Sequence, residues 1–146
     1  MIVYVDSSAV VRSYLPDEPD HDTFRELVAG PTTTITGSWT RIEVTGSLVR
    51  AARAGRTDVS AALEFFRRET APGSGPLLVV DVSQADIEGR ALQIVRDTGI
   101  RSMDAWHLAC AAIATDALRE PGEERAFATR DNAQADIARS LGFTIV

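Results

Sequence analysis

Short apolar runs alternate with longer amphipathic stretches along the whole chain. Ile2 to Val5 is an apolar, β-branched run ending at Asp6, the pattern of a buried strand. Ser7 or Ser8 can cap a helix to about Leu15, stopped by the turn Pro16-Asp17-Glu18-Pro19. Asp20 or His21 opens a second helix, which runs to about Ala29 before Gly30-Pro31. Thr32 to Thr36 reads as a strand. Gly37-Ser38 then turns into a long helix that Gly55 stops after Ala54. Thr57 is expected to cap the next helix, to Thr70, and a Pro/Gly-rich loop leads to the strand Leu77 to Val82. Ser83 caps a helix to about Asp97, and Ser102 caps an alanine-rich one to about Leu118. Ala126 to Thr129 is a strand, Asp131 to Leu141 a helix and Phe143 to Val146 a last strand. Strands alternating with helices predict a three-layer α/β/α fold around a central parallel sheet.

The 146 residues are one domain's length, with no internal repeat and no low-complexity tract. Hydrophobic residues make up 45% and charged residues 25%, which excludes a disordered chain. A single Cys110 cannot form an internal disulfide, so a reducing cytoplasm is the expected setting. No apolar run approaches the ~18 residues of a membrane span. The segment MIVYVDSSAV lacks the basic region of a secretory leader. Asp and Glu total 21 against 15 basic residues, a net charge of −6. That balance disfavours binding nucleic acid through phosphate neutralisation alone and shifts the burden to a local patch or a metal. All the basic residues are arginine, so chemistry that needs a lysine is excluded. No G-x-G-x-x-G, P-loop or G-x-S-x-G motif occurs.

Ligand sites in parallel sheets lie at the carboxyl ends of the strands. Four acids fall where those ends should meet: Asp6 after the first strand, Glu43 early in the helix after the second, Asp104 in the helix opened by Ser102, and Asp131 after the fourth strand. Any one of them could be a helix cap. Four together repel unless something positive sits among them. A hard cation, Mg²⁺ or Mn²⁺, suits an all-oxygen site and activates water for phosphodiester hydrolysis.

The segments IVYVDSSAVV, TRIEVTGSLVR, IRSMDAWHLACAA and FATRDNAQADIARSLGFTIV resemble a PIN domain. More narrowly, they resemble the ribonuclease toxin of VapBC type II toxin–antitoxin pairs. The resemblance runs from Ile2 to Val146 and implies a single PIN domain over residues 1–146. It implies metal-binding catalytic residues Asp6, Glu43, Asp104 and Asp131, with Ser8 in the hydroxyl position after the first Asp. It further implies a Mg²⁺- or Mn²⁺-dependent endoribonuclease acting on RNA, silenced by a VapB-like antitoxin, as a homodimer or toxin–antitoxin hetero-oligomer. A catalytically silent PIN-like binding module, or a PIN nuclease outside such a pair, stays open.

Arg41, Arg50, Arg53 and Arg56 give the Glu43 helix a basic side, and Arg130 adjoins Asp131. Of these, Arg50 and Arg130 are the candidates for RNA backbone contacts. His107 is expected as a partly exposed helix residue and His21 as a surface one. Cys110 reads as packed rather than reactive. Trp106, Ala109, Cys110 and Ile113 form an apolar stripe of core character, and Phe65 lies off the stripe of its own helix.

Overall fold

The structure is a computed structural model that describes residues 1–146. Five parallel strands form one sheet: β1 (Ile2–Val5), β2 (Thr33–Gly37), β3 (Leu77–Val80), β4 (Arg125–Ala128) and β5 (Thr144–Ile145). Their order across the sheet is β3-β2-β1-β4-β5. The helices are α1 (Ser7–Arg12), α2 (His21–Ala29), α3 (Thr40–Arg53), α4 (Val59–Glu69), α5 (Gln84–Thr98), α6 (Ser102–Leu118) and α7 (Asn132–Ser140).

Both faces of β1 are buried, which is why its sequence is continuously apolar. Ile2 and Tyr4 enter one core with residues of α5, α6 and α7. Val3 and Val5 enter the other, with residues of α1, α2, α3 and α4. Two cores on opposite sheet faces make three layers, as the alternation of elements predicts. Helix α6 is buried continuously from Ala105 to Ala112, so its alanines serve a helix enclosed nearly all round. No helix is long and apolar enough to cross a membrane.

The helix starts differ from the sequence reading. Asp6, not Ser7 or Ser8, caps α1, its Oδ1 accepting the Ala9 N–H at 3.0 Å. Asp58, not Thr57, caps α4 by accepting the Ala61 N–H at 2.7 Å. A carboxylate outcompetes a neighbouring hydroxyl at a positive helix end. Ser102 is the first residue of α6 rather than its cap; Arg101 stands in the cap position with no side-chain cap bond. Helix α1 stops at Arg12, and Tyr14 and Leu15 turn into the core instead of extending it.

Candidate active site

The sheet order places β1 beside β4 while the chain leaves them in opposite directions, β1 toward β2 and β4 toward β5. A crevice therefore opens beyond their carboxyl ends. Val5 pairs with Ala128, and the Asp6 N–H donates to the Ala128 carbonyl at 3.0 Å, so Asp6 and Thr129 leave the sheet side by side. Asp6 is only 5% exposed. Its Oδ1 accepts from the Ala9 N–H and, at 2.8 Å, from the Ser8 hydroxyl. Its Oδ2 lies 3.0 Å from the Thr129 hydroxyl. Burial pushes the Asp6 pKa up, against the lowering effect of those bonds.

Asp131 caps α7 through the Gln134 N–H at 3.0 Å and takes the Arg101 guanidinium on its other oxygen at 2.9 Å. Arg101 also reaches Asp104 Oδ2 at 3.2 Å. One cation thus bridges two of the four acids, from a side chain 80% exposed. Burial raises the Asp104 pKa; the Arg101 charge opposes it, while the Asp131 charge adds to it.

Glu43 sits in the first turn of α3 and meets α6 through His107. The His107 Nε2 lies 2.7 Å from Glu43 Oε2, which also accepts from the Ser7 hydroxyl. The other ring nitrogen, Nδ1, lies 2.9 Å from the Tyr4 hydroxyl. Burial works to raise the Glu43 pKa, but the bonds from His107 and Ser7 outweigh it, and the net shift is downward. His107 is 3% exposed, which corrects the expectation of a partly exposed helix residue. The signal available in the sequence was the apolar run Leu108 to Ala112 that follows it in the same helix.

Asp6, Ser8, Glu43, Asp104 and Asp131 all line one cleft of about 490 Å³, together with Arg101. A second groove of about 630 Å³ shares Ser7, Ser8 and Glu43 with it and adds Arg12, Ser47 and Arg50. Arg50 is exposed there, bonded only to the Ser47 hydroxyl at 2.9 Å. Arg130 is tied elsewhere, to Asp20 at 3.0 Å and over the Phe24 ring at 4.3 Å. The Ser8 hydroxyl donates to Asp6 and accepts the Arg130 N–H at 3.2 Å. Arg56 is paired with Asp17 and Glu18. His21 is half-buried, its Nδ1 2.7 Å from the Arg12 carbonyl, and so is not a free surface residue. Cys110 is buried as expected, its thiol pushed up to about 11 by burial. Phe65 stays 41% exposed but packs edge-on to Tyr14.

The PIN domain family profile matches residues 3–140. The chain belongs to the PIN-domain family. PIN domains are in general nucleases. Among solved structures, the PIN fold seen here is similar to a chain in the crystal structure of VapBC2 from Rickettsia felis bound to a DNA fragment from their promoter. The TM-score is 0.64 at 14% identity, over 100% of this chain and 98% of that one. No curated protein sequence matches the chain.

As arranged here, no three carboxylate, imidazole or thiol groups stand close enough to grip one ion. The donor chemistry nevertheless fits a hard cation. The cleft carries four carboxylates, and the cation between two of them is a guanidinium on an exposed stem. Glu43 Oε1 and Asp104 Oδ1 take no hydrogen bond within the chain.

Proposed function

We propose that this PIN domain is a divalent-metal-dependent endoribonuclease and the toxin of a type II toxin–antitoxin pair. The observation that carries this is the meeting of Asp6, Glu43, Asp104 and Asp131, from four separate segments, in one cleft beyond β1 and β4. Asp6 and Asp104 would hold Mg²⁺ or Mn²⁺ directly, Asp131 would complete the set, and Glu43 would reach it through water or orient the attacking water. A divalent cation so held supplies Lewis acidity and a water of lowered pKa. The Ser8 hydroxyl fixes the Asp6 carboxylate, and the Thr129 hydroxyl stands between Asp6 Oδ2 at 3.0 Å and Gln134 Oε1 at 2.6 Å. The Ser7 hydroxyl and His107 fix Glu43 and favour its ionised form, so it can accept or align a proton of the attacking water. Arg50 and Arg12 line the groove that leaves the cleft past Glu43, where guanidinium groups suit a phosphate backbone. Arg130 would contribute to RNA binding only after leaving Asp20.

The partner proposed is a VapB-like antitoxin that lays an arginine-bearing segment over the cleft. Arg101 supports this, because it already shows a guanidinium seated between Asp104 and Asp131. The VapBC2 complex from Rickettsia felis supports the pairing at the level of fold. The proposed setting is the cytoplasm, as a homodimer or a toxin–antitoxin hetero-oligomer. The same Arg101 bridge also favours the second reading, a silent PIN-like module whose acids are neutralised from within.

Cleavage of structured RNA with Mn²⁺, with EDTA, and by Asp104→Asn separates the two. The nuclease reading expects cleavage in the first case alone. No cleavage in any of them would leave the silent module, and equal cleavage in all three would refute metal-dependent hydrolysis at this cleft.

A further inference from the structure

We propose that Tyr4 and His107 form a buried relay that holds Glu43 in one orientation, with His107 in its Nε2–H tautomer as a positioning residue. Its meaning for catalysis rests on the nuclease reading; the relay itself does not.

Four elements build it. Tyr4 comes from the middle of β1, Gly37 from the end of β2, Glu43 from α3 and His107 from α6. Tyr4 is fully buried and stacked on Phe127, ring centroids 5.5 Å apart and planes 11° apart. The Gly37 N–H donates to its hydroxyl oxygen at 3.1 Å. A Cβ on Gly37 would stand 2.6 Å from the Trp106 ring and 2.8 Å from that hydroxyl, so glycine is what admits the arrangement. The Trp106 ring stands nearly perpendicular to the imidazole at 5.3 Å and limits its rotation.

The protons can then be assigned from chemistry. An ionised carboxylate only accepts, so the nitrogen 2.7 Å from Glu43 carries a proton. With a single ring proton, on Nε2, the other nitrogen is a lone pair, and it faces the Tyr4 hydroxyl at 2.9 Å. Tyr4 therefore donates to Nδ1 while its oxygen accepts from Gly37. The Tyr4 proton goes to Nδ1 and the Nε2 proton to Glu43 Oε2, the nearer of its two neighbours, with the Ser7 hydroxyl 3.3 Å from the same nitrogen. Ser7 and His107 both converge on Oε2 of Glu43, which leaves Oε1 as the oxygen presented to the cleft chemistry. A histidine kept only for packing has no reason to bond the one acid of α3 that lines the cleft. Partners of this kind, one bond removed from the reacting groups, typically change metal affinity or activity by ~10–100-fold when lost.

The test uses the full chain in two arms. In EDTA, ¹⁵N NMR of the His107 imidazole should show a bare Nδ1 and a protonated Nε2. The Nε2–H signal should move in Glu43→Ala, and Tyr4→Phe should lose the single tautomer. In Mn²⁺ titrations, His107→Gln keeps an N–H donor near the Nε2 position and should retain affinity within a few-fold. His107→Leu should lose roughly 10–100-fold. A proton on Nδ1, an Nε2–H signal unmoved in Glu43→Ala, or a folded His107→Leu that binds Mn²⁺ like wild type would overturn the relay. If wild type itself binds no Mn²⁺, the nuclease reading falls and the NMR spectra alone decide the relay.

Discussion

Truncating Arg101 to alanine should tighten metal binding while weakening the metal-free fold. In the free protein its guanidinium contacts Asp104 at 3.2 Å and Asp131 at 2.9 Å. Both acids must release it before they can share a divalent cation. The side chain is 80% exposed, so each contact is screened by water and is worth only ~0.2–1 kcal/mol. Two of them together set a displacement cost of about 0.5–2 kcal/mol. At 1.4 kcal/mol per tenfold, Arg101→Ala should bind Mn²⁺ roughly 2–30-fold more tightly. The same sum is lost from the apo protein, where Asp104 and Asp131 are left facing each other. At ~2–4 °C per kcal/mol for a chain of this size, apo melting should fall by about 1–8 °C. Isothermal titration with Mn²⁺ reads the first effect, and melting in EDTA reads the second. Unchanged or weaker Mn²⁺ binding in a folded Arg101→Ala protein would refute the idea that the guanidinium holds a cation's place.

Asp6→Asn should raise the melting temperature in EDTA and abolish the gain with Mn²⁺, which in wild type reaches about 2.7 kcal/mol at a hundredfold excess over Kd. Because burial raises the Asp6 pKa, the folded apo protein holds that proton to higher pH than the unfolded chain. The cost of ionised Asp6 is therefore present at neutral pH and vanishes on acidification toward the usual Asp value. The melting difference between Asp6→Asn and wild type in EDTA should shrink over that window; a constant or growing difference would count against it. Gly37→Ala should cost ~1–3 kcal/mol, since its Cβ meets the Trp106 ring and the Tyr4 hydroxyl, and denaturant melts check this. An arginine-bearing peptide should inhibit cleavage less at high salt; salt-independent inhibition would point to apolar packing instead.

The central strand β1 was legible because it is buried on both faces, so Ile2 to Val5 announces itself without any partner in view, whereas the edge strands β3 and β5 keep exposed positions. Asp6, Glu43 and Asp131 were legible because parallel strands send their carboxyl ends to one edge and these acids follow β1, β2 and β4, whereas Asp104 follows a helix and is brought there by the start of α6. Helix starts were misread where Asp6 and Asp58 stand beside Ser7 and Thr57, because charge decides between neighbouring caps. His107 was misread because its partner Tyr4 lies 103 residues away, and only the packing of α6 on β1 brings them together. Arg101 showed nothing in the sequence, its significance depending on Asp131, 30 residues on. Arg130 looked free beside Asp131, yet Asp20 and Phe24 of another segment hold it.

The chemistry of the cleaved ends tests the central claim most directly. If the carboxylate cleft activates water against the phosphodiester, the RNA 2′-OH takes no part. Mn²⁺-dependent products should then carry 5′-phosphate ends, and Asp104→Asn should make none of them. Products ending in 2′,3′-cyclic phosphate, or 5′-phosphate ends formed equally well by Asp104→Asn, would contradict the assignment of Asp6, Glu43, Asp104 and Asp131 as the catalytic set.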